Sequence, residues 1–308
     1  MGIGAAALAA KVGENSAAIN QRVAELCRLG YEIESTPHFG YRLLSAPDVL
    51  HADDLLSRLR QPRVVGRDIR VFQETSSTND VVERFARDGV AEGVVVFAES
   101  QSKGRGRLGR KWISPAGQGL WFSVLLRPQV PPASVTQLTV AAATAVARAI
   151  RAQTGLVPQI KWPNDILVEG KKVVGILTEL AAELDRVRYV VIGIGVDVNV
   201  AQFPKDLAEI ATSLSVVAGR PFIRAEIAAA ILEELDTDYT RITRGEFAAL
   251  AEEWEQQCIT LGRRVQIHIG HRTITGRAES LDSDGALLLR TEHGHLERIV
   301  GGDVMLEQ

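Results

Sequence analysis

The chain has 308 residues, of which 46% are hydrophobic and 24% charged, with a formal net charge of −3. That is the make-up of an ordinary globular protein with one sizeable core and room for one or two small domains. It excludes a protein held on nucleic acid by bulk positive charge, so any anion site must be local.

The start, Met1 to Lys11, is small and apolar but lacks the basic region of a signal peptide. No run of about 18 apolar residues occurs, so no ordinary membrane span is expected. The two cysteines, Cys27 and Cys258, lie far apart without paired spacing, which points to a reducing, cytoplasmic setting. His268, His271, His293 and His295 have no cysteine or carboxylate at ligand spacing, so no metal site is expected.

From Leu8 the sequence reads as a short helix, a turn at Glu14-Asn15-Ser16, and a second helix from Ala17 to about Leu29. Ser16 is placed to cap that helix, Ile19, Val23 and Leu26 recur at helical spacing, and Gly30 stops it. Strands over Tyr31–Ser35 and Tyr41–Leu44 follow, joined by a turn at Thr36-Pro37-His38-Phe39-Gly40. Helix, turn, helix and hairpin is the pattern of a winged helix-turn-helix, here over residues 1–46 and without the further helix such domains carry in front. Lys11, Arg22, Arg28 and Arg42 balance Glu14, Glu25, Glu32 and Glu34, a poor footprint for phosphates. DNA binding and a residual or regulatory domain both remain open.

Residues 47–63 read as a linker with a short helix from Asp53 to Leu59, and the core domain begins near Val64 with a strand at Ile69–Phe72. Glu74-Thr75-Ser76-Ser77-Thr78-Asn79-Asp80 then opens a helix running to about Arg87. Its hydroxyls and Asn79 can cap that helix, or offer donors and acceptors to a small polar ligand.

After the apolar strand Val94–Phe97 comes Gln101-Ser102-Lys103-Gly104-Arg105-Gly106-Arg107-Leu108-Gly109-Arg110-Lys111-Trp112, with five cations among three glycines. Such a segment cannot bury an apolar face, so it is expected to be mobile until a ligand neutralises it. Glycine admits a phosphate or carboxylate to the backbone, and each guanidinium offers it a planar fork of donors. A solvated basic loop or a nucleic-acid patch is the competing reading. Gly104, Gly106 and Gly109 also match a dinucleotide fingerprint, but turn-forming residues and a strand at Leu120–Leu126 follow where a helix is required, so that fold is rejected.

Thr136 to Ala152 is an Ala-rich helix suited to packing on a sheet. Lys161 follows a strand and enters a bend fixed by Pro163 in Gln159-Ile160-Lys161-Trp162-Pro163-Asn164-Asp165. Lys171–Leu180 continues as a hairpin partner. Tyr189–Asn199 is a buried strand whose Gly193 and Gly195 suggest backbone lying close to a ligand. Helices at Pro221–Arg241 and Glu246–Gln256 close the core domain (64–257), and residues 258–308 read as a small antiparallel barrel.

Ser77-Thr78-Asn79, Gln101 with Gly104-Arg105-Gly106-Arg107 through Trp112, Lys161-Trp162-Pro163-Asn164-Asp165 and Gly175-Ile176-Leu177 occur in this order, with about 55 residues between the loop and the lysine run. In that combination the chain closely resembles the biotin protein ligases of the bifunctional ligase/repressor type, over nearly its whole length. The resemblance implies an α+β protein: a central mixed-sheet domain like that of class II aminoacyl-tRNA synthetases, a truncated N-terminal winged helix-turn-helix and a C-terminal SH3-like β-barrel. It also implies that biotin and ATP are joined to biotinyl-5′-AMP with Mg²⁺, and that biotin then passes to one lysine of a biotin carboxyl carrier protein. Catalysis would fall to Lys161, Arg105 and Arg107, with Lys161 either a fixed charge or a nucleophile. Biotin would meet Ser77, Thr78, Asn79, Gln101, Arg105, Gly106, Arg107, Lys161, Gly175 and Ile176. The nucleotide would meet Arg107, Arg110, Trp112, Asn164, Asp197 and Asn199. A homodimer formed through an edge strand is implied as well, with DNA as a further partner against which the neutral, shortened N-terminus counts.

The chain departs from the family at Asp197, where relatives commonly carry Asn in Gly-x-Gly-x-Asn. An ionised carboxylate accepts hydrogen bonds but donates none, which would weaken nucleotide contacts. Two rivals remain: a lipoate ligase or octanoyltransferase, and a regulator that senses biotinyl-AMP without transferring it.

Overall fold

A computed structural model of the protein describes residues 2–36, 39–60 and 63–307. It divides into two compact units, one up to Val49 and one from Leu50 onward. The first holds α1 (Ala5–Val12), α2 (Ser16–Arg28) and an antiparallel pair, β1 (Glu32–Thr36) and β2 (Gly40–Ser45). Asn15, not Ser16, caps α2: its Oδ1 accepts from the Ala18 N–H at 2.8 Å, so Ser16 is already the first helical residue. Gly30 follows α2 at φ 93°, the left-handed turn that ends a helix. Pro37 and His38 of the expected hairpin turn lie outside the described residues. Among the described apolar side chains of this unit only Ala9 and Ile19 are buried, so it has little core.

The second unit opens with α3 (Ala52–Arg58), β3 (Asp68–Thr75), α4 (Thr78–Arg87), β4 (Val94–Gln101) and β5 (Leu120–Leu126). Then come α5 (Thr136–Thr154), β6 (Gln159–Lys161), β7 (Asp165–Val168), β8 (Lys171–Glu183) and β9 (Arg186–Val196). Three helices follow: α6 (Leu214–Ala218), α7 (Arg224–Thr243) and α8 (Phe247–Glu255). The central sheet runs β3-β4-β5-β9-β8-β7-β6, with β3 and β4 parallel and the other pairs antiparallel. Val95 and Phe97 of β4 join the cluster built on α5, whereas Val94 and Val96 join Val81, Val82 and Ala86 of α4. Covered on both faces, β4 therefore reads as a continuous apolar run. The stretch Pro132–Thr154 is long and apolar enough to cross a membrane, but 72% of its apolar window is buried within the fold, where small Ala side chains let it lie close on the sheet.

The expected linker differs from the structure. Leu50, Leu55 and Leu59 are buried in the main core, because α3 lays an apolar face on β3 and α7. At the other end, β10 (Arg264–Ile269), β11 (Arg272–Leu281), β12 (Leu287–Thr291), β13 (Leu296–Ile299) and β14 (Asp303–Leu306) form an antiparallel sheet ordered β13-β12-β11-β10-β14. Val265, Ile267, Leu287 and Leu289 belong to the same core as the central sheet. The turn before β12 docks on the start of α5 through Ser134 Oγ to Asp284 Oδ1 at 2.6 Å and Gln137 Nε2 to the Ser283 carbonyl at 2.8 Å. A central mixed sheet with helices and a C-terminal antiparallel sheet make this an α+β protein.

Candidate functional site

The basic loop is a hairpin, not a free coil. Trp112 N–H donates to the Gly104 carbonyl at 2.9 Å and Gly106 N–H to the Arg110 carbonyl at 2.7 Å, while Leu108 (φ 56°) and Gly109 (φ 73°) turn the tip. Its cations are unevenly matched. Arg105 pairs with Asp80 Oδ1 at 2.5 Å and with Glu179 Oε2 at 3.0 Å, and Arg110 pairs with Asp303 of the C-terminal sheet. The expectation that only a ligand would neutralise the loop is thus corrected: three carboxylates of the protein already hold two of its arginines.

Arg107 is the exception. Its guanidinium is partly buried and donates to a neutral acceptor, Asn164 Oδ1, at 3.1 Å. Burial pushes its pKa down, and the more distant charges of Asp165 and Asp303 do not make up the difference. Gly301 leaves room for it: a Cβ there would stand 2.7 Å from Arg107 Nη2.

The helix start and the loop share one polar chain. Gln101 Oε1 accepts from the Thr78 N–H at 2.9 Å and Oγ1 at 3.2 Å, and its Nε2 donates to Ser114 Oγ at 2.9 Å. Thr78 Oγ1 lies 2.7 Å from Ser123 Oγ, which donates to Asn79 Oδ1 at 2.5 Å. Asn79 Nδ2 donates to Glu179 Oε2 at 2.6 Å, completing the path to Arg105. Ser77 stands at the N-cap but its hydroxyl makes no capping bond, although the residue is buried. Thr78, Asn79, Gln101 and Arg105 are therefore brought together as expected, with Asp80, Ser114, Ser123 and Glu179 as members that sequence reasoning missed. A carboxylate in the mostly apolar strand 173–180 was the signal available for Glu179.

The lysine run forms the next wall. Lys161 ends β6 partly buried, opposite Asp165 in register, and the Trp162–Pro163 peptide bond is cis. Trp162 is sunk in the core with its N–H on Thr260 Oγ1 at 3.0 Å. Asn164 is latched to β8: its Nδ2 donates to the Ile176 carbonyl at 2.7 Å, and the Ile176 N–H to its own carbonyl at 3.0 Å.

Gly193 and Gly195 lie close against side chains. A Cβ at Gly193 would stand 2.2 Å from Asn79 Oδ1, and one at Gly195 2.5 Å from Trp112 Nε1. Gly175, paired with Gly195 across the ladder, would meet Trp112 Cζ3 at 2.7 Å, so the indole lies against this glycine pair.

Asn199, expected to meet the nucleotide, holds the chain before α7. Its Nδ2 donates to the Phe222 carbonyl at 2.8 Å and its Oδ1 accepts from the Phe222 N–H at 3.0 Å, a latch for the chain before α7. Asp197 is buried, and that desolvation holds its carboxyl well above the usual range, opposed by Lys172. Lys172 itself pairs with Asp165 Oδ1 at 2.6 Å. Burial thus favours the protonated form, which donates as well as accepts, the capacity an Asn amide has. Among the described residues no group of three or more His, Cys, Asp or Glu could hold a metal ion.

A polar row, a half-matched arginine and a lysine set around one mixed sheet mark a protein that handles a small carboxylic acid. The pattern described as the biotin/lipoate A/B protein ligase family matches residues 71–197, and that described as the biotin protein ligase C terminal domain matches residues 260–306. The bifunctional ligase/repressor BirA of Bacillus subtilis (strain 168) is 38% identical over 297 residues, covering 96% of this chain and 91% of its own. The biotin--[acetyl-CoA-carboxylase] ligase of Mycobacterium tuberculosis is 34% identical over 249 residues, covering 78% of this chain and 89% of its own. The biotin protein ligase of Aquifex aeolicus, solved in complex with biotin and ATP, superposes with a TM-score of 0.67 at 31% identity, covering 79% of this chain and 99% of that one. The chain belongs to the biotin protein ligase family.

Proposed function

We propose that the protein activates biotin with ATP and transfers it to a lysine of a biotin carboxyl carrier protein. The observation that carries this reading is Arg107: a partly buried cation with a neutral hydrogen-bond partner, beside Asn164 and the Lys161 strand end. A carboxylate oxygen of biotin attacks the α-phosphorus of ATP, the bond to the bridging oxygen breaks, and pyrophosphate leaves. Both reactants are anions, so fixed cations must offset their repulsion as they meet. Arg107 and Lys161 take that role, and Lys161 is read as a charge rather than a nucleophile. Arg105, matched by Asp80 and Glu179, serves mainly to hold the loop. In the second step the acceptor amine attacks the carbonyl of the mixed anhydride, AMP leaves, and the amine loses a proton.

Ser77, Thr78, Asn79 and Gln101 suit the polar ureido end of biotin, with Gly106, Gly175 and Ile176 alongside. Arg110, Trp112, Asn164 and Asp197 are assigned to the nucleotide. Magnesium enters as part of the substrate MgATP, held by phosphate oxygens and water, as that ion prefers.

The domain reading goes with the family. Residues 2–45 support a winged helix-turn-helix, the central sheet a class II synthetase-like domain, and the C-terminal sheet an SH3-like barrel. Residues 176–183 of β8 pair with β9 and not with β7, which supports a homodimer through that edge. Operator binding is the weaker half of the proposal, since the first unit's charges cancel between residues 1 and 45. A cytoplasmic setting accompanies this reading.

The test is mass spectrometry of an apo carrier domain incubated with the protein, MgATP and either biotin or lipoate. A biotin-sized gain on one lysine, lost in Arg107→Met, is expected. A gain with lipoate alone would transfer the protein to the lipoate branch. No gain, with biotinyl-AMP retained by the protein, would make it a sensor.

A further inference from the structure

A buried ion pair sits where the central sheet splits. β4 and β5 are paired from Val95↔Val124 to Ala98↔Trp121. Beyond that, β4 continues beside β3 as far as Thr75↔Gln101, while the start of β5 pairs with β9 at Leu120↔Val196. The two strands diverge here, and the chain that joins them is the basic loop. Arg224, the first residue of α7, fills the notch: its side chain is 0% exposed and that of Glu99 7%. Nη1 donates to Glu99 Oε2 at 2.7 Å and to the Gly119 carbonyl at 3.1 Å, and Nη2 to Glu99 Oε1 at 3.3 Å. Glu99 Oε1 also accepts from the Leu50 N–H at 2.8 Å. One guanidinium thus ties the end of β4 to the residue that precedes β5, where ladder hydrogen bonds have ended.

Stability alone is a poor reason for such a pair. Removing two charges from water costs about as much as their attraction returns, and apolar side chains of similar volume would fill the notch as well. What apolar packing cannot do is fix a carboxylate and a carbonyl at set distances and angles, which a planar fork does.

We propose that Arg224 and Glu99 are positioning residues for the substrate loop: by clamping its two roots they hold Gln101, Arg105 and Arg107 in binding geometry. Neither reaches the substrate. Glu99 acts through Gln101, two residues on, whose carboxamide sets Thr78 and Ser114. Gly119 acts through Gln118, whose carbonyl takes the Asn199 N–H at 2.7 Å and so links the far root to the segment after β9. This rests on reading residues 102–118 as the loop that takes biotin.

The experiment combines hydrogen exchange, which needs no ligand, with steady-state kinetics in the full chain. In Arg224→Met and Glu99→Gln, amides of residues 102–118 are expected to exchange about ten-fold faster while those of β9 are unchanged, the scale of one charge-assisted hydrogen bond. KM for biotin should rise by about the same factor with kcat within about three-fold, and Arg224→Lys should recover part of it. If Arg224→Met does not fold, Glu99→Gln, which keeps the shape, carries the test. Unchanged loop exchange with a lowered Tm would overturn the clamp, as would faster exchange spread equally over β9. A wild-type protein that fails to bind biotin would sink the functional reading, and the exchange result would still decide the clamp.

Discussion

Replacing Gly195 with Ala tests whether Trp112 is seated on the glycine pair. Gly195 lies in extended backbone within β9, so alanine is allowed there and should gain about 0.5–1 kcal/mol from the unfolded chain alone. The new methyl would stand 2.5 Å from Trp112 Nε1 and Cε2, whereas carbon contacts settle near about 3.5–4.0 Å. The indole must move by about 1 Å or more, and overpacking of this kind costs about 1–3 kcal/mol. The net loss is about 1 kcal/mol within a span of about 0–2.5, a Tm fall of about 2–4 °C at the central figure for a unit of this size. Thermal unfolding of Gly195→Ala, Trp112→Leu and the double variant measures it. The methyl should cost stability in the wild-type background, and cost little or add some in the Trp112→Leu background, where the smaller side chain leaves it room. Stability equal to or above wild type in the single variant, with no coupling in the cycle, would refute the placement of Trp112.

Arg107→Met should abolish adenylate formation with a Tm within a few degrees of wild type, since Arg107 leaves behind a neutral amide; calorimetry and a pyrophosphate-release assay check both. Arg105→Met should instead lower stability by about 1–2 kcal/mol, because Asp80 and Glu179 lose their shared counter-charge at a partly exposed site; chemical denaturation reads it. Asp197 binds its proton more tightly folded than unfolded, so stability contributed by the neutral carboxyl is full below about pH 4 and falls as pH rises above that value. Asp197→Asn should match wild type at low pH and exceed it increasingly above about pH 4, and its KM for ATP should be flatter with pH. Asp303→Asn should raise KM for ATP about ten-fold by loosening Arg110, with biotin affinity affected less, as titration calorimetry would show.

Much of the site was legible because its chemistry clusters in sequence. Gln101 to Trp112 and Lys161 to Asp165 each name several neighbours in one short run, and the structure joins the two through Arg107 and Asn164, with Gln101 and Arg105 at the start of α4. The partners were less legible, because they arrive from distant strands: Glu179 lies 74 residues from Arg105 and Asp303 lies 193 from Arg110. Glycine was read correctly as a sign of close approach at Gly193 and Gly195, but sequence could not tell a ligand from Asn79 or an indole. Asn199 carries a related ambiguity, since an amide serves a backbone latch as well as a purine. A short helix is expected over Asp53–Leu59 and forms over Ala52–Arg58, but that Leu55 within it joins the main core is not legible, because neighbouring polar residues make the stretch resemble a tether.

The ion pair between Arg110 and Asp303 also has a meaning in time. A ribosome delivers the basic loop and the lysine run long before residue 303, so a nascent chain that has folded its central sheet still lacks the contact that anchors the loop's tip. Anchoring of the loop's tip is thereby linked to the arrival of the C-terminal sheet.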